Sequence, residues 1–87
     1  MKALLASVFK RVVKAGQLVM IDHKGRRESF GDPAARPLTL RLNDRRVTLD
    51  LALNPQLTLG AAYMEGRISF EGGTIADFLE LMAHNIR

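Results

Sequence analysis

The apolar residues of this 87-residue chain change their repeat along its length, and that change limits the fold more than anything else in it. Before Gly16, Leu4, Leu5, Val8, Phe9, Val12 and Val13 share one broad helical face, with Ser7, Lys10, Arg11 and Lys14 opposite. Between Gly16 and Asn43 the period falls to two. Leu18, Met20 and Asp22 alternate with Val19 and Ile21, and Leu38, Leu40 and Leu42 alternate with Thr39, Arg41 and Asn43. After Gly73 the helical spacing returns at Ile75, Phe78, Leu79, Met82 and Ile86. Such a chain packs helices against a sheet, so the fold class is α+β.

The punctuation fits. The first helix is expected over about Lys2 to Ala15, with Gly16 just past its end. His23-Lys24-Gly25-Arg26 is the turn of a hairpin, Arg27–Phe30 its weaker return strand, and Gly31 to Pro37 a surface loop. Leu57–Met64 reads as a short helix closed by Gly66, Arg67–Glu71 as a strand, and Thr74 with Asp77 as a capping pair opening the last helix. Residues 44–54 stay open. Val47, Leu49, Leu51 and Leu53 alternate like a strand, yet Val47–Leu51 and Leu49–Leu53 are also helical pairs that Asn43 or Asp44 could cap. The pattern favours the strand narrowly. One domain over residues 1–87 is expected, with about four mostly antiparallel strands covered by N- and C-terminal helices and short central helices.

Charge is uneven. Residues 1–46 carry eleven Lys and Arg against four acids, a balance of +7, and residues 47–87 carry two against five, a balance of −3. A basic front half favours anionic partners. The absence of cysteine fits a reducing cytoplasm. No apolar run approaches the ~20 residues that span a bilayer.

Catalytic chemistry is missing from the pattern. Ser7, Ser29 and Ser69 are the only serines, and none stands in a nucleophile motif. His23 and His84 lie 61 positions apart with no clustered carboxylates, which makes no metal ligand set. The seven glycines form no phosphate-binding loop, so no cofactor is expected. Glu71 and Asp77 are explained as a strand end and a helix cap. Nucleic acid is disfavoured because Phe9, Phe30, Phe70 and Phe78 fall on apolar faces rather than standing free to stack on bases.

The apolar surplus is more telling. Leu57, Tyr63, Met64, Phe70, Phe78 and Met82 belong to three adjoining apolar stretches. They either fill the core or line a groove for an acyl chain, where flexible methionines would adapt to it. Lys10, Arg11 and Lys14, with Arg45 and Arg46, are the cations available to head groups or another anionic surface.

The run Leu53-Asn54-Pro55-Gln56-Leu57-Thr58-Leu59-Gly60-Ala61-Ala62-Tyr63-Met64-Glu65-Gly66-Arg67-Ile68 resembles a stretch in the N-terminal domain of bacterial cyclopropane-fatty-acyl-phospholipid synthases. Glu71-Gly72-Gly73 and Phe78-Leu79-Glu80-Leu81-Met82 are similar to the next segment of that domain, and the likeness extends over nearly the whole chain. The family usually has an acidic residue where this chain has Ala61, which puts any polar role at that position in doubt. A more distant likeness to sterol-carrier-type lipid-binding domains tips residues 45–53 to helix. The resemblance implies a non-catalytic accessory domain of an S-adenosylmethionine-dependent methyltransferase. Its expected partners are a phospholipid or membrane surface, a methyltransferase domain or subunit, and a second copy of itself. The expected place is the cytoplasm, peripheral on the inner membrane. The alternative is a protein–protein assembly module, for dimerisation or for docking the methyltransferase.

Overall fold

A computed structural model describes residues 2–86, leaving aside the side chains of Lys2, Ala3 and Gln56. The elements run α1 (Lys2–Val12), β1 (Gln17–Ile21), β2 (Arg27–Gly31), β3 (Pro37–Leu42), α2 (Arg45–Leu53), α3 (Pro55–Met64), β4 (Ile68–Glu71) and α4 (Ile75–Ile86). The four strands form one mixed sheet in the order β2-β1-β3-β4. β1 pairs antiparallel with β2 and β3 antiparallel with β4, while β1 and β3 lie parallel. The chain is therefore an α+β domain, as its pattern requires.

The hairpin closes through Asp22, whose carboxylate accepts the N–H groups of Lys24 and Arg26 at 2.9 Å each, in the side-chain turn typical of Asp. From β2 the chain does not fold back beside β2. Residues 32–36 cross the start of β1 and deliver β3 to its other side. Asp32 N–H donates to Gly16 O at 2.7 Å, and the Asp32 carboxylate accepts Ala34 N–H at 2.9 Å, which pins the crossing.

Leu18, Met20, Phe30, Leu38, Leu40, Leu42 and Ile68 turn to one sheet face and are buried there with Leu5, Phe9 and Val13 of α1, Val47 and Leu51 of α2, Ala62 of α3 and Phe78 of α4. All four helices thus cover the same face. On the other face, Val19 lies between Ser29 and Thr39, and Ile21 between Arg27 and Arg41. Both are buried, at 4% and 5% exposure, by these cross-strand neighbours rather than by a second layer.

Residues 45–53 are helical, as the resemblance implied and against the narrower lean of the pattern. Asp44 caps them, accepting Val47 N–H at 2.7 Å. Thr74 and Asp77 form the capping pair, with Thr74 N–H donating to Asp77 Oδ2 at 2.7 Å and Asp77 N–H to Thr74 Oγ at 3.3 Å.

Two expectations need correcting, and one residue explains both. α1 stops at Val12 rather than Ala15, because Asn85 takes the next free amides. Its Oδ1 accepts Lys14 N–H at 2.9 Å and Ala15 N–H at 2.8 Å, and its Nδ2 donates to Ala15 O at 3.0 Å and Leu81 O at 2.8 Å. The inner stripe of α4 is accordingly Phe78, Leu81, Met82 and Asn85, and Leu79 and Ile86 face outward at 51% and 70% exposure.

Candidate functional site

Every large apolar side chain left exposed among the described residues lies on a helix: Leu4 and Val8 on α1, Leu53 on α2, Leu57, Tyr63 and Met64 on α3, Leu79 and Ile86 on α4. The open sheet face presents Arg27, Ser29, Thr39, Arg41, Ser69 and Glu71 instead, with Arg41 and Glu71 paired across β3 and β4. The two sides of the molecule differ sharply in what they can bind.

α3, unlike the other three helices, carries no charged residue. Pro55 starts it at a position where its missing N–H costs nothing. No charge occurs from Leu51 to Met64, so the helix is apolar on both its faces. Leu59 and Ala62 pack inward and the Thr58 hydroxyl donates to Asp50 O at 3.0 Å. Leu57, Gly60, Ala61 and Met64, at helical spacings of three, four and seven, turn outward. Leu57 and Met64 are 74% and 87% exposed, and Leu53 extends the stripe at the end of α2.

The six residues expected to meet an acyl chain divide between two environments. Leu57 and Met64 stand in solvent. Phe78 is buried, and Phe70 and Met82 pack against the core around it. Tyr63 joins the two groups, half exposed on α3 with its ring 6.0 Å from that of Phe70. From there the five aromatic rings of the chain form one row: Phe70 to Phe78 at 5.3 Å, Phe78 to Phe9 at 6.3 Å, and Phe9 to Phe30 at 5.6 Å.

The expected cations are all exposed and form two groups. Lys10, Arg11 and Lys14 lie at the C-terminal end of α1, where positive charge suits the helix dipole, and Lys14 Nζ donates to Lys10 O at 3.2 Å. Arg45 and Arg46 open α2, with Arg46 only 3.8 Å from Asp50. α2 packs against both α1 and α3, and so stands between the first group and the apolar stripe.

Arg67 holds the base of α2 to the β4 side, a role its isolated place in the sequence did not reveal. Its Nε donates to Asp44 Oδ2 at 2.7 Å and its Nη2 to Asp50 Oδ2 at 2.9 Å. Asn43 Nδ2 adds bonds to Gly66 O at 3.0 Å and Ser69 Oγ at 3.3 Å. The Arg67 guanidinium holds the Asp44 carboxyl below the usual carboxylate range; burial opposes it, and the Val47 N–H adds a lesser lowering. A folded carboxyl that is the stronger acid stabilises above the unfolded value of about 3.9, and this contribution disappears as pH falls through the lower folded value. Because the pair is partly exposed, the contribution is on the order of 1 kcal/mol. Asp44→Asn keeps a capping oxygen and removes only the charge. It is expected to lower the melting temperature at neutral pH and to flatten its decline below about pH 4, as circular dichroism across pH would read. Equal acid slopes for both proteins would place the acid sensitivity elsewhere.

Two of the surface clefts adjoin the elements described above. One of about 600 Å³ lies between Ala15-Gly16 and the Asp77, Glu80 and His84 side of α4, and Asp77 is already committed there to its capping pair. The other, about 460 Å³, lies between α1 and the β2 edge. Among the described residues no group of three His, Cys, Asp or Glu side chains is placed to hold a metal ion. Among them, too, no helix is long and apolar enough to cross a membrane. One family model matches residues 3–86, that of a domain of unknown function, DUF7884. No curated protein matches the chain.

Proposed function

The chain belongs to the DUF7884 family, and from its surface and the resemblance of residues 53–68 we propose that it is a non-catalytic module whose helical side docks on an anionic phospholipid surface, in the service of a methyltransferase resembling the cyclopropane-fatty-acyl-phospholipid synthases. One observation carries this reading: among the described residues the exposed large apolar side chains all lie on the helices, which also bear Lys10, Arg11, Arg45 and Arg46, with Lys14 just past the end of α1. Apolar residues that enter the acyl boundary, beside cations held at head-group level, are the two components of peripheral membrane attachment. Each fully buried Leu or Met side chain contributes about 1.5–3 kcal/mol, and each cation near an anionic surface about 1 kcal/mol. The contact is superficial. Leu57 and Met64 enter the lipid, while Phe70, Phe78 and Met82 support the helices from within. The module works in the cytoplasm, peripheral on the inner membrane.

The test is co-sedimentation with phosphatidylglycerol vesicles. Binding is expected at low salt, and it should fall steeply near 1 M salt, where charges are screened beyond about 3 Å. Leu57→Asp with Met64→Asp is expected to weaken binding by about tenfold or more while leaving the circular dichroism spectrum intact. A protein that stays in the supernatant at low salt overturns the proposal.

A specific observation favours a second reading, assembly with a methyltransferase domain or another copy. Gly60 lies inside α3, where glycine costs about 1 kcal/mol relative to alanine, yet a Cβ built there meets nothing within 4 Å. No internal packing requires the glycine, and with Ala61 it leaves a shallow notch between Leu57 and Met64 that a helix could approach closely. Light scattering that finds a dimer, weakened by Ala61→Leu in a protein indifferent to vesicles, selects this reading over the first.

A further inference from the structure

β2 is an outer strand of the sheet, so one of its edges has no strand beside it. Its register with β1 runs one to one from Gln17↔Gly31 to Ile21↔Arg27, with no bulge and no proline inside the strand. Asp32 N–H bonds to Gly16 O and Asp22 N–H to Arg26 O, one pair at each end of the ladder. In an antiparallel ladder the bonded pairs alternate, so Phe30 and Glu28 turn their backbone groups toward β1. Arg27, Ser29 and Gly31 therefore direct theirs outward, away from the sheet. Edges like this are usually blunted by a bulge, a proline or a covering segment.

Here a cleft of about 460 Å³ runs along the edge instead, walled by Lys10, Val13 and Lys14 on the α1 side. Lys10, Arg11 and Arg27 have no acidic partner among the described residues, and Lys14 Nζ reaches only a backbone carbonyl. Of the two acids beside the cleft, Asp32 already accepts an amide within its own loop, which leaves Glu28 against the two lysines that line it, Lys10 and Lys14. A second copy paired edge to edge would bring Arg27, Lys10 and Lys14 of both chains together, which like-charge repulsion opposes. We propose that the β2 edge receives an extended, acidic peptide segment of a partner protein as a fifth strand. Backbone bonds to Arg27, Ser29 and Gly31 would hold it, and its carboxylates would face Lys10 and Lys14. The site lies apart from the α3 stripe but shares Lys10 and Lys14 with the proposed lipid contact, so peptide binding is read in the absence of vesicles.

The probe is a synthetic eight-residue peptide alternating Val and Glu, blocked at both ends, with a Val and Lys counterpart as control. Titration of the labelled protein by NMR should shift the amide signals of Arg27, Ser29 and Gly31 with the acidic peptide, and about tenfold more weakly with the basic one. Ser29→Pro removes an outward amide that β1 does not use, a place where edge strands tolerate proline. It should weaken the acidic peptide roughly tenfold without altering the melting temperature by more than a few degrees. Should that variant unfold, Lys10→Glu with Lys14→Glu serves instead and should reverse the preference between the peptides. The proposal is overturned by equal affinity for both peptides, by shifts confined to α3, or by self-association through the edge.

Discussion

Gly31→Ala is expected to remove about 3 kcal/mol of stability, a large share of what a domain this small possesses, as urea unfolding would measure. Gly31 has φ +92°, a conformation that costs an L side chain about 1–2 kcal/mol. The added Cβ would also collide with Gly16 O and fall 3.0 Å from Val13 Cγ1. That carbonyl cannot simply retreat, because it accepts Asp32 N–H and anchors the loop that crosses the start of β1. Relieving the clash breaks that bond, at about 1 kcal/mol, and loosens the crossing on which the β1–β3 pairing depends. Gly25→Ala is the control. Its φ is +82°, yet nothing lies within 4 Å of the new Cβ, so it should lose only the backbone cost of about 1–2 kcal/mol. Equal losses at the two glycines would show that the contact with Gly16 O is unimportant.

Phe78→Ala is expected to cost about 3–5 kcal/mol, the usual range for emptying an aromatic site in a core. Phe78 is 6% exposed and sits in the middle of the aromatic row, touching Phe9 on α1 and Phe70 on β4, so its removal opens the space between helix and sheet. Against roughly 4–13 kcal/mol for an 87-residue domain, this leaves little margin or none. Phe78→Leu fills part of the volume and should lose less than half as much. The pair of variants bears on function too. A Phe78 that serves a bound acyl chain would give an alanine variant with near-normal stability and poor lipid binding. A Phe78 that serves the core gives the opposite, and the row of rings predicts the opposite.

The residues alone were legible where one face of an element is apolar and the other polar. β3 alternates cleanly because Leu38, Leu40 and Leu42 meet the helices while Thr39 and Arg41 meet water. α2 misled for a local reason. Its alternating Val47, Leu49, Leu51 and Leu53 look like a strand, yet only Val47 and Leu51 are fully buried, Leu49 is half-buried and Leu53 is 68% exposed, so the alternation does not track burial. The α4 stripe was misplaced because it ends in Asn85, a polar residue that pattern reading assigns to the outside. The parallel pairing of β1 with β3 was not legible either. Five loop residues after β2 suggest simple reversal, and only the bond from Asp32 to Gly16 records the crossing.

The candidate surface was legible in part. The excess of apolar residues around Tyr63 was visible, and Leu57 and Met64 do stand outside. Which of the others the core would absorb depended on the direction each ring takes from β4 and α4, and no spacing rule specifies that. Arg67 was invisible as a fastener because Asp44 and Asp50 lie 23 and 17 positions before it.

The amide of Asn85 sets an order of events for a chain emerging from the ribosome. Its bonds to residues 14 and 15 span 70 positions and more, so the exit of α1 cannot be secured until residue 85 is free in solution. The β1–β2 hairpin closes over about ten residues and can form long before that. The early helix must wait beside a half-built sheet with its greasy side uncovered by α4, which makes the interval before residue 85 appears the period when a chaperone would find this protein.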